Sequence, residues 1–304
     1  MAPSEPRGAR CLDAVAVEAA LRRLARAPGL PWLHGEVARR MAQRLEPIRL
    51  KPQRVLDWWG GPGASAEVLR EALPDAERVA VEPDRRWAAR AAAAPTPWWR
   101  PWRRAPAAVF TAADSDAAIG SGQLVWSNMT LHAVADPPAL FARWQRLLEI
   151  DGMVLFSCLG PGTLRELREL YAELGWPSPT PGFIDMHDLG DMLVESGFAE
   201  PVLDQETLTL RWRGAEALLD ELRTLGANAA PDRHPGLRTP AWRRRLVDAL
   251  TARAAPDGSI GLSFEIAYGH GFKAAPRLRP GEPQAVSLDE MRAMVRRPRD
   301  PGSR

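Results

Sequence analysis

The feature that most constrains the fold is a short apolar strand that runs directly into a cluster of glycines. The predicted strand is Arg54–Asp57, followed by the glycine-rich stretch Gly60–Gly63 and by a helical pattern over Ser65–Leu73. A second short strand, Arg78–Glu82, then ends in an acid. The succession of strand, glycine turn, helix and strand is a βαβ unit, which requires parallel strands. We therefore expect an α/β domain built on a parallel sheet.

Apolar segments continue this alternation along the chain. Further strands are predicted at Ala107–Thr111, Gln123–Asn128 and Met153–Ser157. The late segments Thr207–Trp212 and Ile260–Tyr268 alternate apolar and polar residues, and we expect the second to be an antiparallel strand. Helical periodicity predicts helices at Asp13–Arg26, Trp32–Leu45, Pro137–Glu149, Thr163–Leu174, His187–Ser196, Gly214–Gly226 and Thr239–Arg253.

Composition divides the 304-residue chain into one domain with two tails. Residues 1–12 are rich in Pro, Gly and Arg, and are expected to be flexible. The domain is predicted to span residues 13–272, including the two N-terminal helices. Pro and Arg dominate residues 273–304, which we expect to be a disordered tail.

Charge and cysteine usage exclude several classes of protein. The net charge is only +2, and acidic residues are mixed among the basic ones, which disfavours a nucleic-acid-binding surface. Cys11 and Cys158 provide neither a disulfide framework nor zinc-ligand spacing, as expected in a reducing compartment. No apolar run approaches the roughly 18 residues of a membrane span, and the N-terminus lacks a signal peptide's apolar core. The sequence therefore predicts a cytoplasmic protein without a membrane partner.

The loop Asp57–Gly63 and the acid Glu82 have the properties of a nucleotide-cofactor site. Glycines let a backbone approach a ligand closely, and the next helix offers free N–H groups. An acid that ends the second strand can accept both hydroxyls of a ribose, and Glu82 lies 19 residues after Gly63. The loop has neither the G-x-G-x-x-G spacing of dinucleotide folds nor the Gly-Lys-Ser/Thr of phosphate loops. The alternative is an ordinary strand-to-helix turn with an incidental surface glutamate.

The motifs resemble those of a known family. Residues 55–63 resemble the first motif of class I methyltransferases, V-L-D-x-G-C-G-P-G. Four later segments resemble the malonyl-acyl-carrier-protein O-methyltransferases of biotin synthesis, and the likeness extends over about Arg54 to Phe272. These segments are Val125–Met129 with the strand Val154–Ser157 after it, Gly162–Leu167, Phe183–Leu189 and Leu225–Asn228.

This resemblance implies a fold, a cofactor and a substrate. The fold would be a doubly wound, mostly parallel, seven-stranded Rossmann-like sheet, with a helical lid near residues 160–186 and 214–240. The cofactor would be S-adenosylmethionine. The substrate would be an acyl-carrier protein carrying a malonyl group, whose free carboxylate becomes a methyl ester.

The resemblance also assigns residues by position. Asp57, Gly60, Gly61 and Gly63 would form the cofactor loop, Glu82 would bind the ribose hydroxyls, and Asn128 would lie near the sulfonium. The acid that contacts adenine in the family has two candidates after the third strand, Asp114 and Asp116. Substrate contacts are expected from His132, which lies four residues after Asn128 at the mouth of such a fold, and from Arg165 and Tyr171 in the lid region. The cation that holds the malonyl carboxylate is left open among Arg143, Arg165, Arg168 and Arg223.

Other charged or aromatic segments have ordinary alternatives. Asp185, His187 and Asp188 look like metal ligands, but acids at a helix start are expected from the helix dipole, so no metal site is predicted. The run Trp98–Arg104 could stack on bases, cover the cofactor edge or simply pack. Arg243–Arg245 could meet an acidic carrier protein or form a solvated helix face, and a solvated position is the alternative for each arginine above.

One departure from the family motif keeps the function open. Trp59 stands where the motif has its first glycine. The alternatives to the malonyl-specific enzyme are a methyltransferase fold that no longer binds cofactor and acts as an interaction module, and a methyltransferase with another acceptor.

Overall fold

The computed structural model describes residues 12–27, 29–93, 106–226 and 228–275. Most of both predicted tails and the Trp98–Arg104 run lie outside these residues. No helix among the described residues has the length and apolar character needed to cross a bilayer.

The elements, in chain order, are α1 (Ala14–Arg26), α2 (Trp32–Leu45), β1 (Arg54–Trp58), α3 (Gly60–Gly63), α4 (Ala66–Ala72), β2 (Glu77–Glu82), α5 (Arg85–Ala92), β3 (Ala108–Thr111), β4 (Gly122–Ser127), α6 (Pro137–Leu147), β5 (Leu148–Leu159), α7 (Arg165–Glu173), α8 (Met186–Glu195), β6 (Phe198–Arg213), α9 (Ala215–Thr224), α10 (Pro240–Thr251) and β7 (Ser259–Lys273).

The strands form one seven-stranded sheet in the order β3-β2-β1-β4-β5-β7-β6. The pairs among β1 to β5 are parallel, and β7 is antiparallel to both β5 and β6. This confirms the predicted mostly parallel sheet and its antiparallel late strand. The chain leaves β1 towards β2 and β3 on one side, and later adds β4 and β5 on the other. In such sheets, ligands bind at the carboxyl ends of the strands where the order reverses, here between β1 and β4.

Helices cover both faces of the sheet, as predicted for a doubly wound fold. Val55 and Leu124 belong to a core cluster that also contains residues of α2, α4, α7, α9 and α10. The next residues along the same strands, Leu56 and Val125, belong to a second cluster with α6 and α8. Because successive side chains of a strand point to opposite faces, these short strands read as continuous apolar runs in the sequence.

The two last strands are longer than the sequence predicted. Their antiparallel pairing runs from Phe198 opposite Lys273 to Arg213 opposite Ser259. β6 alternates between half-buried and exposed positions over most of its length. Because polar residues occupy many of these positions, most of β6 contains no apolar segment that would predict a strand.

Residues Thr163 and Glu166 have the Thr-x-x-Glu spacing that predicts a capping box at the start of α7, but the structure forms none there. The helix begins after Leu164, which adopts a left-handed conformation and makes no side-chain cap. The Thr163 hydroxyl instead donates to the carbonyl of Glu265, at 3.0 Å. Glu166 accepts from the backbone N–H of Ser263 at 3.0 Å and from its hydroxyl at 2.5 Å. These polar residues therefore fasten α7 to β7, a tertiary contact that local spacing could not reveal.

We expect Trp144→Ala to lower the free energy of unfolding by about 3–5 kcal/mol, the usual cost of deleting a large buried aromatic side chain. Trp144 is fully buried on α6, with its ring centroid 5.4 Å from Phe141 and 6.1 Å from Phe156. Urea titration followed by circular dichroism measures the change. Trp32→Ala is the matched control, because Trp32 is 49% exposed and its loss should cost less than about 1 kcal/mol. Equal losses in the two variants would contradict this assignment of the core.

Candidate functional site

The glycine turn between β1 and α4 is held in a tight conformation. Trp59 enters it with a left-handed backbone, φ 54°, and Ala64 leaves it with φ 58°. The N–H of Trp59 donates to the carbonyl of Val81 at 2.6 Å, and the N–H of Gly63 donates to the carbonyl of Trp59 at 2.9 Å. The residues between form the single helical turn α3. The turn is therefore anchored to β2 as well as to β1.

Two glycines of this turn lie against side chains that leave no space for a Cβ. A Cβ on Gly60 would overlap the carboxylate of Asp57. A Cβ on Gly61 would lie 2.6 Å from Cε3 of Trp87 and 2.9 Å from Oε2 of Glu82. Real Cβ atoms do not approach this closely, so glycine is required for packing at both positions. The predicted cofactor residues of β1, the turn and β2 are thus brought together.

Asn128 joins the turn to the end of β4 and to α2. Its Nδ2 donates to the carbonyl of Gly63 at 2.5 Å and to that of His34 at 2.8 Å, and its Oδ1 accepts from the Ser157 hydroxyl at 2.8 Å. A Cβ on Gly63 would lie only 2.6 Å from the backbone oxygen of Asn128. Both amide hydrogens of Asn128 therefore donate to main-chain carbonyls, so the side chain links the glycine turn to α2.

His34 is a further residue of this site, and the sequence analysis did not single it out. It is buried on α2, and its Nδ1 lies 2.8 Å from the carbonyl of Pro62. A carbonyl only accepts, so Nδ1 carries the hydrogen and Nε2 is the acceptor nitrogen. Burial lowers the pKa of His34, which keeps the ring neutral. No short motif surrounds it, and only the packing of α2 on the turn reveals it.

Two buried carboxyl groups lie beneath the turn. Asp57 is fully buried and pairs with Arg78 at 2.6 Å; burial raises its pKa, and the guanidinium opposes that shift. Glu82 is 1% exposed and accepts from the N–H of Gly61, with its two oxygens 3.0 and 3.2 Å from that nitrogen. Burial, followed by the charge of Asp57, raises the pKa of Glu82 to about 8. Perturbed acids of this kind are typical of functional sites.

A cavity of about 600 Å³ opens beside the turn. The turn contributes Trp59 and Pro62, and the segment after β4 contributes Met129 and Thr130. The remaining walls come from α1, α7, α9, α10 and the segments 179–183 and 225–240. Most of the lining side chains are apolar, and the volume is typical of a small-molecule site. The segments predicted to form a lid therefore do surround this cavity.

Of the residues predicted to contact substrate, Tyr171 and His132 line the cavity and Arg165 does not. Arg165 is 65% exposed, and its guanidinium lies within 4.0 Å of Glu166 and Glu169. It has the environment of a solvated helix-face arginine. Arg223 does line the cavity but is equally exposed and pairs with Asp220 at 3.2 Å.

The other predicted charged residues lie away from the cavity lining. Arg143 pairs with Asp116 at 3.2 Å, and Asp114 accepts from the Thr111 hydroxyl at 2.6 Å. Arg168 donates to the carbonyl of Pro161. Three further arginines, Arg23, Arg238 and Arg243, line the cavity. The sequence analysis did not single out Arg23 or Arg238, and it left Arg243 open between a contact with a carrier protein and a solvated helix face.

The metal-like cluster at the start of α8 has a structural explanation. Asp185 is the N-cap residue and accepts from the backbone N–H of His187 at 2.8 Å. Within the described ranges, no group of three His, Cys, Asp or Glu residues has a geometry suited to a metal ion.

Comparison of the sequence with known families and proteins gives consistent matches. The model of a family described as a methyltransferase domain matches residues 32–200. The malonyl-[acyl-carrier protein] O-methyltransferase of Gallionella capsiferriformans is 37% identical over 251 residues, which cover 81% of this chain and 86% of that protein. The enzyme of the same name from Laribacter hongkongensis is 38% identical over 253 residues, which cover 81% and 84%.

Solved structures match the fold at low sequence identity. The YcgJ protein of Bacillus subtilis has a TM-score of 0.51 at 12% identity, and covers 80% of this chain and 100% of its own. A protein from Bacillus halodurans C-125 has a TM-score of 0.52 at 14% identity, with 79% and 100% covered. At such identities the likeness concerns the fold alone.

We expect ionisation of Glu82 to destabilise the ligand-free protein as the pH rises. The pKa of Glu82 is about 8 in the folded chain and close to 4.5 when unfolded, so the folded state binds more protons between these values. The unfolding free energy should then fall from pH 5 to pH 8, by roughly 3 kcal/mol for this group alone. Glu82→Gln should remove this contribution.

Urea titrations of both proteins at several pH values measure it. Glu77→Gln is the control, since Glu77 lies half-exposed at the other end of β2. A constant stability difference between the wild type and Glu82→Gln across this range would contradict the assignment.

Proposed function

Since this chain belongs to the methyltransferase-domain family and, within it, to the malonyl-[acyl-carrier protein] O-methyltransferases, we propose that it methylates the free carboxylate of a malonyl group on an acyl-carrier protein. The chain is an S-adenosylmethionine-dependent methyltransferase. The identity of its acceptor is the proposed part. Methylation would mask the charge of the malonyl group, so that the acyl chain could be extended as an ordinary apolar chain.

The residues of the glycine turn fit the cofactor. Gly61 and Gly63 bring the backbone so close to Glu82, Trp87 and Asn128 that a side chain would not fit at either position. The Glu82 carboxylate receives one protein N–H, from Gly61, and keeps lone pairs for two ribose hydroxyls. We assign the cofactor to this turn, with Asp57, Gly60, Gly61, Gly63 and Glu82 around it and Asn128 fixing its far wall.

Trp59 is compatible with cofactor binding. The backbone keeps the left-handed conformation that a glycine would supply, although such a conformation is strained for a bulky residue. The three atoms nearest to a Cβ at Gly61 or Gly63 belong to other residues than Trp59. The indole packs against the second apolar cluster and lines the cavity. These contacts favour the active enzyme over a module with a blocked cofactor loop.

The chemistry demands little of the protein beyond positioning. Bound S-adenosylmethionine supplies an electrophilic methyl group on a positively charged sulfur. A carboxylate acceptor is ionised at neutral pH, so no general base is needed to generate the nucleophile. What the chain must do is orient the acceptor and exclude water. The reaction therefore requires no catalytic base.

The cavity next to the turn is the main structural support for methylation of an acyl group. It extends from Trp59, Pro62 and Thr130 to the helices α7, α9 and α10, and its walls are mainly apolar. An acyl group on a flexible arm could enter such a space and reach the turn. The same walls would keep water from the reacting centre.

We expect Glu82→Ala and Gly61→Trp to weaken the binding of S-adenosylhomocysteine more than about 10-fold. The first removes the acceptor of the ribose hydroxyls and with it their hydrogen bonds. The second forces a large side chain against Trp87 and Glu82, where even a Cβ has no room. Isothermal titration calorimetry measures the affinity, and Glu77→Ala on the same strand should leave it unchanged. Normal affinity in either site variant would refute the assignment of the turn.

The function itself is tested by incubating the full chain with S-adenosylmethionine and malonyl-acyl-carrier protein. We expect mass spectrometry to detect one added methyl group, which esterase treatment removes. Acetyl-acyl-carrier protein is the control acceptor, because it has no free carboxylate. Trp59→Gly should retain cofactor binding. A folded wild type that binds no cofactor, while Trp59→Gly does, would support the non-catalytic module; cofactor binding without methylation of the malonyl group would indicate another acceptor.

A further inference from the structure

Arg238 differs from the other arginines that line the cavity. Arg23 donates to the carbonyl of Gly226 at 3.2 Å. Arg223 pairs with Asp220, and Arg243 pairs with Glu216. Each of these three has an oxygen partner in the protein.

Arg238 has no acidic or carbonyl partner among the described residues, and its guanidinium carbon lies 4.5 Å from the centroid of the Trp242 ring. Stacking on a ring orients a guanidinium and leaves its edge N–H groups available for a bidentate contact. Arg238 is half-buried at a largely apolar cavity, where an anionic partner stabilises a cation more than it would in bulk water. The position of Arg238 therefore suits an anionic ligand.

Tyr171 offers a second unpaired polar group in the same cavity. Its side chain is 8% exposed, and its hydroxyl makes no hydrogen bond within the part of the chain that the structure describes. The ring is fixed by edge contacts with Trp176 and Trp242, at centroid distances of 5.3 and 6.3 Å. Burial raises the pKa of Tyr171, and the nearby charge of Arg238 opposes this shift. The hydroxyl is thus a fixed donor in the same cavity as the guanidinium, and both side chains pack against Trp242.

The start of α10 adds to the positive potential at this place. Thr239 caps the helix by accepting the N–H of Trp242 at 3.1 Å, and Pro240 occupies the first turn. Both residues line the cavity. The first turn of a twelve-residue helix carries partial positive charge from its unpaired N–H groups. Arg238, the Tyr171 hydroxyl and this helix end therefore share one wall.

We propose that Arg238 and Tyr171, with the N-terminus of α10, bind the free carboxylate of the acyl group and make the enzyme specific for acyl chains that carry one. This inference rests on the proposed function for the identity of its substrate. An uncharged acyl chain would leave the guanidinium and the hydroxyl without partners, and such losses produce strong discrimination. Methylation removes the charge that the subsite recognises, so the ester product binds more weakly than the substrate and is released.

The test measures binding, which requires no turnover. Calorimetry of the full chain saturated with S-adenosylhomocysteine compares malonyl and butyryl thioesters of N-acetylcysteamine, which are similar in length and differ in charge. The wild type should bind the malonyl compound about 10- to 100-fold more tightly. Arg238→Gln should abolish this preference and leave butyryl binding within about twofold. Arg238→Lys should restore part of it, because the charge remains but the bidentate contact does not.

Two further variants control the interpretation. Arg244→Gln changes an exposed arginine of α10 that lies outside the cavity lining, and it should keep the full preference. Tyr171→Phe should lower the preference several-fold without unfolding the aromatic cluster. Equal malonyl and butyryl affinities in the wild type, or an unchanged ratio in Arg238→Gln, would overturn the proposal.

A phosphate on the carrier's pantetheine arm is the competing anion. The thioesters of N-acetylcysteamine lack it, so any preference they show must come from the carboxylate. If Arg238→Gln weakens malonyl- and butyryl-phosphopantetheine equally and leaves both short thioesters unaffected, the arginine binds phosphate and the proposal fails. A wild type with an Arg238-dependent malonyl preference that methylates no malonyl-carrier protein would refute the proposed function alone.

Discussion

The close contact between the glycine turn and the ends of β2 and β4 is the constraint on which the site depends. Gly61 donates its N–H to the buried Glu82, and Gly63 lies against the backbone of Asn128. Neither approach leaves room for a Cβ, so glycine is required at both positions. Asn128 then ties the turn to α2 through the carbonyl of His34, which places the N-terminal helices over the same edge of the sheet.

The two acids at this edge of the sheet, Asp57 and Glu82, are buried, so their charges interact strongly with each other and with their neighbours. Glu82 lies under the turn, where its burial and then the charge of Asp57 raise its pKa to about 8, and the one N–H that it accepts, from Gly61, opposes the shift. Such a group costs stability at neutral pH in the free protein and gains partners when a ligand arrives. The opposite charge occurs at the cavity, because Arg238 and the Tyr171 hydroxyl line it without hydrogen-bond partners among the described residues.

Sequence patterns predicted the sheet and the glycine turn well because both depend on local rules. Short strands buried on both faces are continuous apolar runs, and the turn needs glycine wherever backbone meets backbone. Sequence patterns failed for polar residues whose role depends on contacts outside their own short segment. Thr163 and Glu166 looked like a helix cap but bond to β7. Arg165 looked like a substrate ligand but is solvated and paired with its own helix.

The sequence by itself determined the parallel α/β architecture, the glycine turn, and Glu82 as the acid beside it, since each follows from residue type and spacing along one βαβ unit. Only the tertiary structure decided which cations are free, because partners such as Glu216 for Arg243 are distant in the chain. It also decided that the backbone at Trp59 keeps the conformation of the glycine it replaces. Whether a side chain lines a cavity or meets solvent depends on the packing of several elements, and no local pattern records that packing.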